Sequence, residues 1–451
     1  MKRLPTSDTL RLHNSLTVIK KWTIEAMWKY LLIGSLALVI GCSDQQDHQS
    51  PDLTVLMVWA HAGQAAERKV LDQQVKRFNS LQTEIQVQLT FIPEQSYNAQ
   101  VQAAAVAGEL PDMLEFDGPF LYNYVWQGHL EPLDKLLSAK LQEELLPSIQ
   151  KQGHYLGKFY AVGTFDSGLG LYARRSALKD SGVQIPSGPD NAWTGDEFAT
   201  VLAALASRDS DGRVLDLKLN YSGEWFTYAF SPLLQSAGGD LIDRNDYQSA
   251  EGVLNSPQSV RAMKALQHWF TRGYIDSNVD DAAFVSGRVA LSWAGHWEYS
   301  RYAEALGSDL ALLPLPDLGK GSRTGQGSWV WGITKHSKNP QAVVRLLEFL
   351  LQPNEVLVMA AANGAVPATR TAIARSPLYG DKGPLQLFTR QLQGGFSVPR
   401  PQTPAYPVIT SAFQQAFIDI RNGGDIQNAL DKAAAEIDQD IRDNKGYPQV
   451  D

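Results

Sequence analysis

Between Leu53 and Asp117 the chain alternates strand-like and helix-like segments, and this alternation constrains the fold more than any other feature. Leu53 to Trp59 (LTVLMVW) is a continuous apolar run, as a strand covered on both faces would be. Leu71, Val75 and Phe78 follow at i, i+4 and i+7, one face of a helix. Ile85, Val87, Leu89 and Phe91 then alternate with Gln86, Gln88 and Thr90, the period of a strand. The spacing predicts a second helix over Tyr97 to Ala107, stopped by Gly108 and Pro111, and a third strand over Asp112 to Phe116. Strand, helix, strand, helix, strand with short links predicts a parallel α/β sheet. Ligands of such sheets gather at the carboxyl ends of the strands. Here those ends are the loops after Trp59 and Phe116, which carry His61, Gly63 and Asp117.

A second region begins near Thr164. Trp193-Thr194-Gly195-Asp196-Glu197-Phe198 has a cap residue followed three positions later by an acid, which predicts a helix start. Phe284 to Trp293 reads as a turn leading into a strand, Asn339 to Phe349 as a helix, and Asp425 to Arg442 as a terminal helix. No internal repeat is present, so solenoids and propellers are not expected.

The first forty residues read as an address. Leu31 to Gly41 (LLIGSLALVIG) is uncharged and follows Lys20, Lys21 and Lys29. It is shorter than the about 20 residues a bilayer span needs, and it fits the apolar part of a signal peptide. Met27 is an alternative start. The run ends in Val39-Ile40-Gly41-Cys42, which resembles the bacterial lipoprotein signal; that resemblance implies a lipidated Cys42 as the mature N-terminus. Residues 1–41 are then a signal peptide and 42–51 a flexible tether. Cys42 is the only cysteine, so no disulfide, zinc ribbon or iron–sulfur cluster forms within one chain. The whole chain carries a net charge of -8. Without its basic leader it keeps 34 Lys and Arg against 46 Asp and Glu, which disfavours nucleic acid as a partner.

Catalytic and cofactor motifs are scarce. There is no phosphate loop and no nucleophile elbow. The 8 histidines include no pair at i, i+4, so no helix-borne zinc site is expected. Gly168 to Ala173 loosely mimics a dinucleotide fingerprint but reads as close-packed crossover backbone. Asp209-Ser210-Asp211-Gly212 starts like a calcium loop, yet Asn220 stands where the bidentate acid belongs, so a solvated turn is expected. Neither cofactor nor metal is expected. Paired acids for glycoside hydrolysis remain a rival reading.

The aromatic supply points elsewhere. Trp225 sits in Gly223-Glu224-Trp225-Phe226-Thr227, Trp293 and Trp297 in Ser292-Trp293-Ala294-Gly295-His296-Trp297, and Trp329 and Trp331 in Gly327-Ser328-Trp329-Val330-Trp331-Gly332. A flat ring suits the C–H face of a pyranose, and carboxylates suit its hydroxyls. Core packing is the ordinary role of a single tryptophan. Recurrence beside Gly, Glu and Asp favours Trp59, Trp225, Trp297 and Trp329 as sugar platforms.

Several segments, in order along the chain, resemble the extracellular solute-binding proteins of the maltose-binding type. They are Gly108-Glu109-Leu110-Pro111-Asp112 with Asp117, Gly128-His129-Leu130-Glu131-Pro132-Leu133, Gly157 to Val162 with Leu171-Tyr172, Trp225 to Leu241, Phe284 to Trp297, and Gly364-Ala365-Val366-Pro367. The resemblance implies a two-lobed α/β fold, each lobe a mostly parallel sheet flanked by helices, with the ligand in a cleft between lobes. It implies one lobe from 52–164 plus 318–368 and the other from 165–317 plus 369–451. It further implies a monomeric, non-catalytic receptor outside the cytoplasm, held to a membrane by its lipid and handing a di- or oligosaccharide to an ABC permease. Carried over by position, Glu224 and Trp225 match an acid and a stacking ring, Trp297 with Gly295 the cleft tryptophan, and Asp117 the acid for sugar hydroxyls. Trp59 and His61 lie in the first-strand loop, Trp329 in the returning loop, and Arg400 and Tyr406 in the C-terminal region that reaches the cleft. Trp225 stands where maltose-binding proteins have a tyrosine, so a different sugar is expected. A glycerophosphodiester, polyamine or metal chelate in the same fold is the alternative ligand.

Overall fold

The structure, a computed structural model, describes residues 53–380 and 382–448; the apolar leader, Cys42 and the tether lie outside them. The opening segments are β1 (Thr54–His61), α1 (Ala65–Leu81), β2 (Ile85–Ile92), α2 (Glu94–Ala107) and β3 (Met113–Asp117). β1 pairs in parallel with β2 and with β3, as connections through a helix require. α1 buries Leu71, Val75 and Phe78 in a core with Leu56, Val58 and Val87. α2 starts at Glu94 rather than Tyr97. It ends at Gly108, whose φ of 70° turns its N–H back to the carbonyls of Ala104 and Ala105.

β1 is not covered on both faces. Leu56, Val58 and Ala60 are buried, but Leu53, Val55 and Met57 are 54%, 42% and 40% exposed. Cover on that second face comes only near the carboxyl end, where Trp59 packs against the cluster of Tyr97, Val101 and Leu114. An apolar run gives the buried area but not its sidedness.

Two further strands complete this sheet. Trp329–Ile333 runs antiparallel to β3, and Ala161–Val162 antiparallel to Trp329–Ile333. A second sheet orders its strands as Leu310–Leu313, Leu169–Arg174, Leu291–Gly295 and Leu215–Asp216. Leu169–Arg174 is antiparallel to both neighbours, and only the last pair is parallel. The two-lobed α/β architecture is the expected one, and its pairing is mixed: parallel among β1, β2 and β3 and between Leu215–Asp216 and Leu291–Gly295, antiparallel at Leu169–Arg174 and Trp329–Ile333. The antiparallel strands Leu169–Arg174 and Trp329–Ile333 enter directly from the other sheet, whereas helices separate Leu215–Asp216 from Leu291–Gly295, which run parallel.

Each lobe has its own core. In the second, Leu171, Phe198, Trp269, Trp293 and Phe417 are buried together, each contributing about 1.5–3 kcal/mol through lost apolar exposure. The connections between lobes pack closely. Phe165–Asp166 pairs with Val366–Pro367, and a Cβ on Gly168 would stand 2.8 Å from the Phe388 ring. These glycines are therefore crossover backbone. The helix Gly195–Ala206 carries the capping box of Thr194 and Glu197, and Asp425 caps the last helix, Ile426–Asp443. In the turn at Asp209 the carboxylate accepts the N–H groups of Asp211 and Gly212.

Candidate ligand-binding cleft

Four of the residues singled out from the sequence meet at one point between the lobes. Asp117 ends β3 in the first lobe, and Glu224 opens the helix Glu224–Ala237 in the second, where the helix dipole favours a carboxylate. Arg400 follows the short strand Ser397–Pro399. Its Nη1 and Nη2 donate to the two oxygens of Asp117, both at 2.6 Å, and Nη1 also donates to Glu224 Oε1 at 2.7 Å. The Tyr406 hydroxyl donates to the same Glu224 oxygen, and Thr410 Oγ1 donates to the other at 2.7 Å. Burial pushes the Glu224 carboxyl up, against the pull of Arg400. Burial works against the Arg400 charge, but Asp117, Tyr406 and Glu224 hold its pKa well above the usual value. Burying such ions costs several kcal/mol each, close to what their attraction returns. The cluster therefore fixes geometry more than it adds stability.

A second group adjoins the first, because Trp329 lies opposite Asp117 in the register of β3. The His61 ring lies on the Trp329 indole, with centroids 3.9 Å apart. Its Nδ1 is 2.7 Å from Glu115 Oε2, and its Nε2 is 3.7 Å from Glu67 Oε2. Burial alone would lower the imidazole pKa, yet these two carboxylates raise it well above the ordinary value. Tyr97 meets Trp329 edge-on at 5.4 Å, and its hydroxyl faces the Trp59 carbonyl. Trp59 thus stands behind this layer, in the α2 cluster.

The second lobe supplies an aromatic wall. Trp297 sits edge-to-face with Trp225 at 5.9 Å and donates its Nε1–H to Tyr221 Oη at 3.3 Å. Gly295 makes room for it: a Cβ there would lie 2.1 Å from the Trp297 ring. Trp225, like Tyr228, is nearly buried. It is 7% exposed, donates to the Leu217 carbonyl at 3.2 Å, and packs among Tyr221, Phe230 and Trp297. One helical turn on, the Tyr228 ring, 6% exposed, lies 4.8 Å from the Arg400 guanidinium and 6.3 Å from Trp297. Its hydroxyl meets Ser167 Oγ at 2.7 Å. Residue 228 stands one helical turn from both 224 and 225.

Over this junction lies a crevice lined by Tyr122, Ser148, Gln152, Gly327, Arg400 and Gln402, among others, enclosing about 20 Å³. That space holds a water and no sugar ring, so a saccharide enters only if the lobes part. Among the described residues, Gln152 Oε1 and Arg400 Nε of the crevice lining, and Asp166 Oδ2, are buried with no hydrogen-bond partner. Asp166 is fully buried in the crossover, its Oδ1 accepting from Ser167 N–H at 2.8 Å, and burial raises its pKa. Asp166, Tyr228 and Gln152 are the residues that sequence reading missed. An acid in a crossover, Asp166, was the one available signal.

The model of the family described as bacterial extracellular solute-binding protein matches residues 62–356. The chain belongs to this family. A probable ABC transporter-binding protein of Deinococcus radiodurans is 26% identical over 337 residues, covering 67% of this chain and 74% of that one. A maltotriose-binding protein of Pyrococcus abyssi is 20% identical over 266 residues, covering 58% of this chain and 54% of that one. Among solved structures, the GacH receptor of Streptomyces glaucescens, determined unliganded and in complex with acarbose, matches with a TM-score of 0.72 at 20% identity. That match covers 87% of this chain and 98% of the receptor and shows a shared fold. As an extracellular solute-binding protein, the chain acts outside the cytoplasm and is of the ABC-transporter type.

Proposed function

We propose that this solute-binding protein is a lipid-anchored, monomeric receptor that binds a neutral di- or oligosaccharide between its lobes and delivers it to an ABC permease without altering it. The lobes divide as 52–164 with 318–368 and 165–317 with 369–451, and Cys42 carries the lipid. The observation that carries the reading is the junction itself. Tyr228, Trp297 and Trp329 bring flat rings to the polar groups of Asp117, Glu224, Arg400 and Tyr406, beside the unpaired atoms of Asp166 and Gln152. In this arrangement Gly295 seats Trp297, Trp225 buttresses it, His61 orients Trp329, and Trp59 supports the first-lobe layer. The relatives that take maltotriose and acarbose support a sugar as ligand.

Closure on a ligand held by both lobes supplies the differential affinity that shifts the open–closed balance. A micromolar saccharide provides about 8 kcal/mol, enough to offset a closure cost of a few. The glycosidase alternative is disfavoured because Arg400 ties up both Asp117 and Glu224, leaving neither free as a general acid or base.

Calorimetric titration of the purified protein with neutral mono-, di- and oligosaccharides tests this. A micromolar complex from which the sugar is recovered intact is expected. Binding of other metabolites with no saccharide bound below millimolar would overturn the sugar assignment, and recovery of cleaved sugar would overturn the receptor role.

A further inference from the structure

Asp117 and Glu224 come from different lobes, and a single guanidinium lies between them. The Arg400 side chain is 4% exposed, touches both carboxylates at 2.6 Å and 2.7 Å, and has the Tyr228 ring against its flat face at 4.8 Å. Glu224 receives two more donors, Tyr406 and Thr410, both neutral. The two acids best placed for sugar hydroxyls therefore already have donors from the chain itself. Displacing Arg400 would break a bidentate ion pair with Asp117 and its bond to Glu224, leaving two facing carboxylates without the positive charge between them, which a neutral hydroxyl does not supply. The Arg400 Nε is buried with no partner among the described residues, and Arg400 lines the crevice.

We propose that Arg400 is the specificity-determining residue of this cleft: it fills, as an internal cation, the seat formed by Asp117, Glu224 and the Tyr228 ring, and so excludes amino sugars while leaving neutral sugars to the rings and amides. Two carboxylates and an aromatic face are the recognition chemistry of an ammonium or guanidinium group, and the chain provides its own. A sugar bearing a charged amine would compete for a seat already taken and would bring a second positive charge against Arg400. The ligand class named here rests on the sugar-binding reading; the existence of the seat does not.

The test has two arms. In the first, Arg400→Ala empties the seat, and thermal unfolding is followed with methylguanidinium chloride against sodium chloride at equal ionic strength. The variant is expected to bind methylguanidinium at least tenfold more tightly than the intact protein, and Asp117→Asn placed on top of Arg400→Ala is expected to abolish that gain. Equal response of variant and intact protein overturns the proposal. The second arm needs no variant, so a failure of Arg400→Ala to fold does not remove the test. The intact protein is titrated at pH 6 with the neutral saccharide it binds and with the 2-amino-2-deoxy counterpart. At least tenfold weaker binding of the amine is expected, and equal affinities overturn the proposal. If no neutral saccharide binds, the functional reading fails, and the first arm alone decides whether the seat exists.

Discussion

The imidazole of His61 lies flat on the indole of Trp329, with ring centroids 3.9 Å apart and planes 8° from parallel. His61 closes β1 and Trp329 opens the strand that returns from the second lobe, so the stack joins the two ends of the sheet that face the cleft. Glu115 and Glu67 raise the imidazole pKa well above its ordinary value, and in its protonated form the ring makes a cation–π contact with Trp329.

The charge state of His61 gives a pH signature. Its folded pKa is raised above the unfolded value of about 6.5. Its stabilisation is therefore fully present below pH 6.5 and is lost as pH rises through the folded value. Urea unfolding of the intact protein and His61→Gln across pH 5 to 9 should show a difference of about 3 kcal/mol at the acidic end, shrinking toward the alkaline end.

His296 has the opposite sign. It is 3% exposed, and burial lowers its pKa to about 4, against the Asn363 carbonyl and Glu67. The unfolded chain takes up this proton first, so stability falls as pH drops from about 6.5 through 4. The groups facing this ring are Glu67 from α1, the carbonyl of Asn363, and the rings of Phe165, Trp297 and Phe388. Replacing His296 by Gln should remove up to about 3 kcal/mol of acid sensitivity, read from urea midpoints between pH 4 and 7.

These two histidines show what the sequence could and could not disclose. The strand–helix alternation of residues 53–117, the Thr194 cap and the terminal helix were legible because local periodicity and capping chemistry determine them. Asp117, Glu224, Arg400 and Tyr406 were legible through a resemblance, and the structure gathers them at one point. The pairing of Arg400 with Asp117 spans 283 positions, and no local pattern encodes such a contact. The same holds for the opposite pKa shifts of His61 and His296, which depend on how many carboxylates tertiary packing brings to each ring. Trp225 beside Trp297 and Tyr228 beside Arg400 are both nearly buried, and these neighbours come from tertiary packing that no local pattern encodes.

Trp225 and Trp297 of the second lobe should separate on mutation. Trp225→Ala is expected to cost about 3–5 kcal/mol of stability, as a large buried aromatic does. Trp297→Ala should cost less stability and weaken saccharide binding at least tenfold. Gly295→Ala should act like Trp297→Ala on binding, because its Cβ needs the space of the indole, 2.1 Å away. Chemical denaturation and calorimetry on the same three variants check all of this.

The interlobe ion pair should show strong coupling. Asp117→Asn and Arg400→Gln are each expected to cost about 3–5 kcal/mol, because each leaves a buried partner uncompensated. The double variant should cost less than the sum. Raising salt to about 0.5 M should change little, since the pair is shielded from solvent ions.

The most direct measurement is a crystal structure of the protein grown with the saccharide that calorimetry finds tightest. The account predicts a sugar between the lobes, a pyranose face within about 4 Å of the Tyr228, Trp297 or Trp329 ring, with Arg400 still clasped to Asp117 and Glu224. Sugar bound on one lobe alone and away from these rings, or a cleft left empty at saturating saccharide, would contradict it.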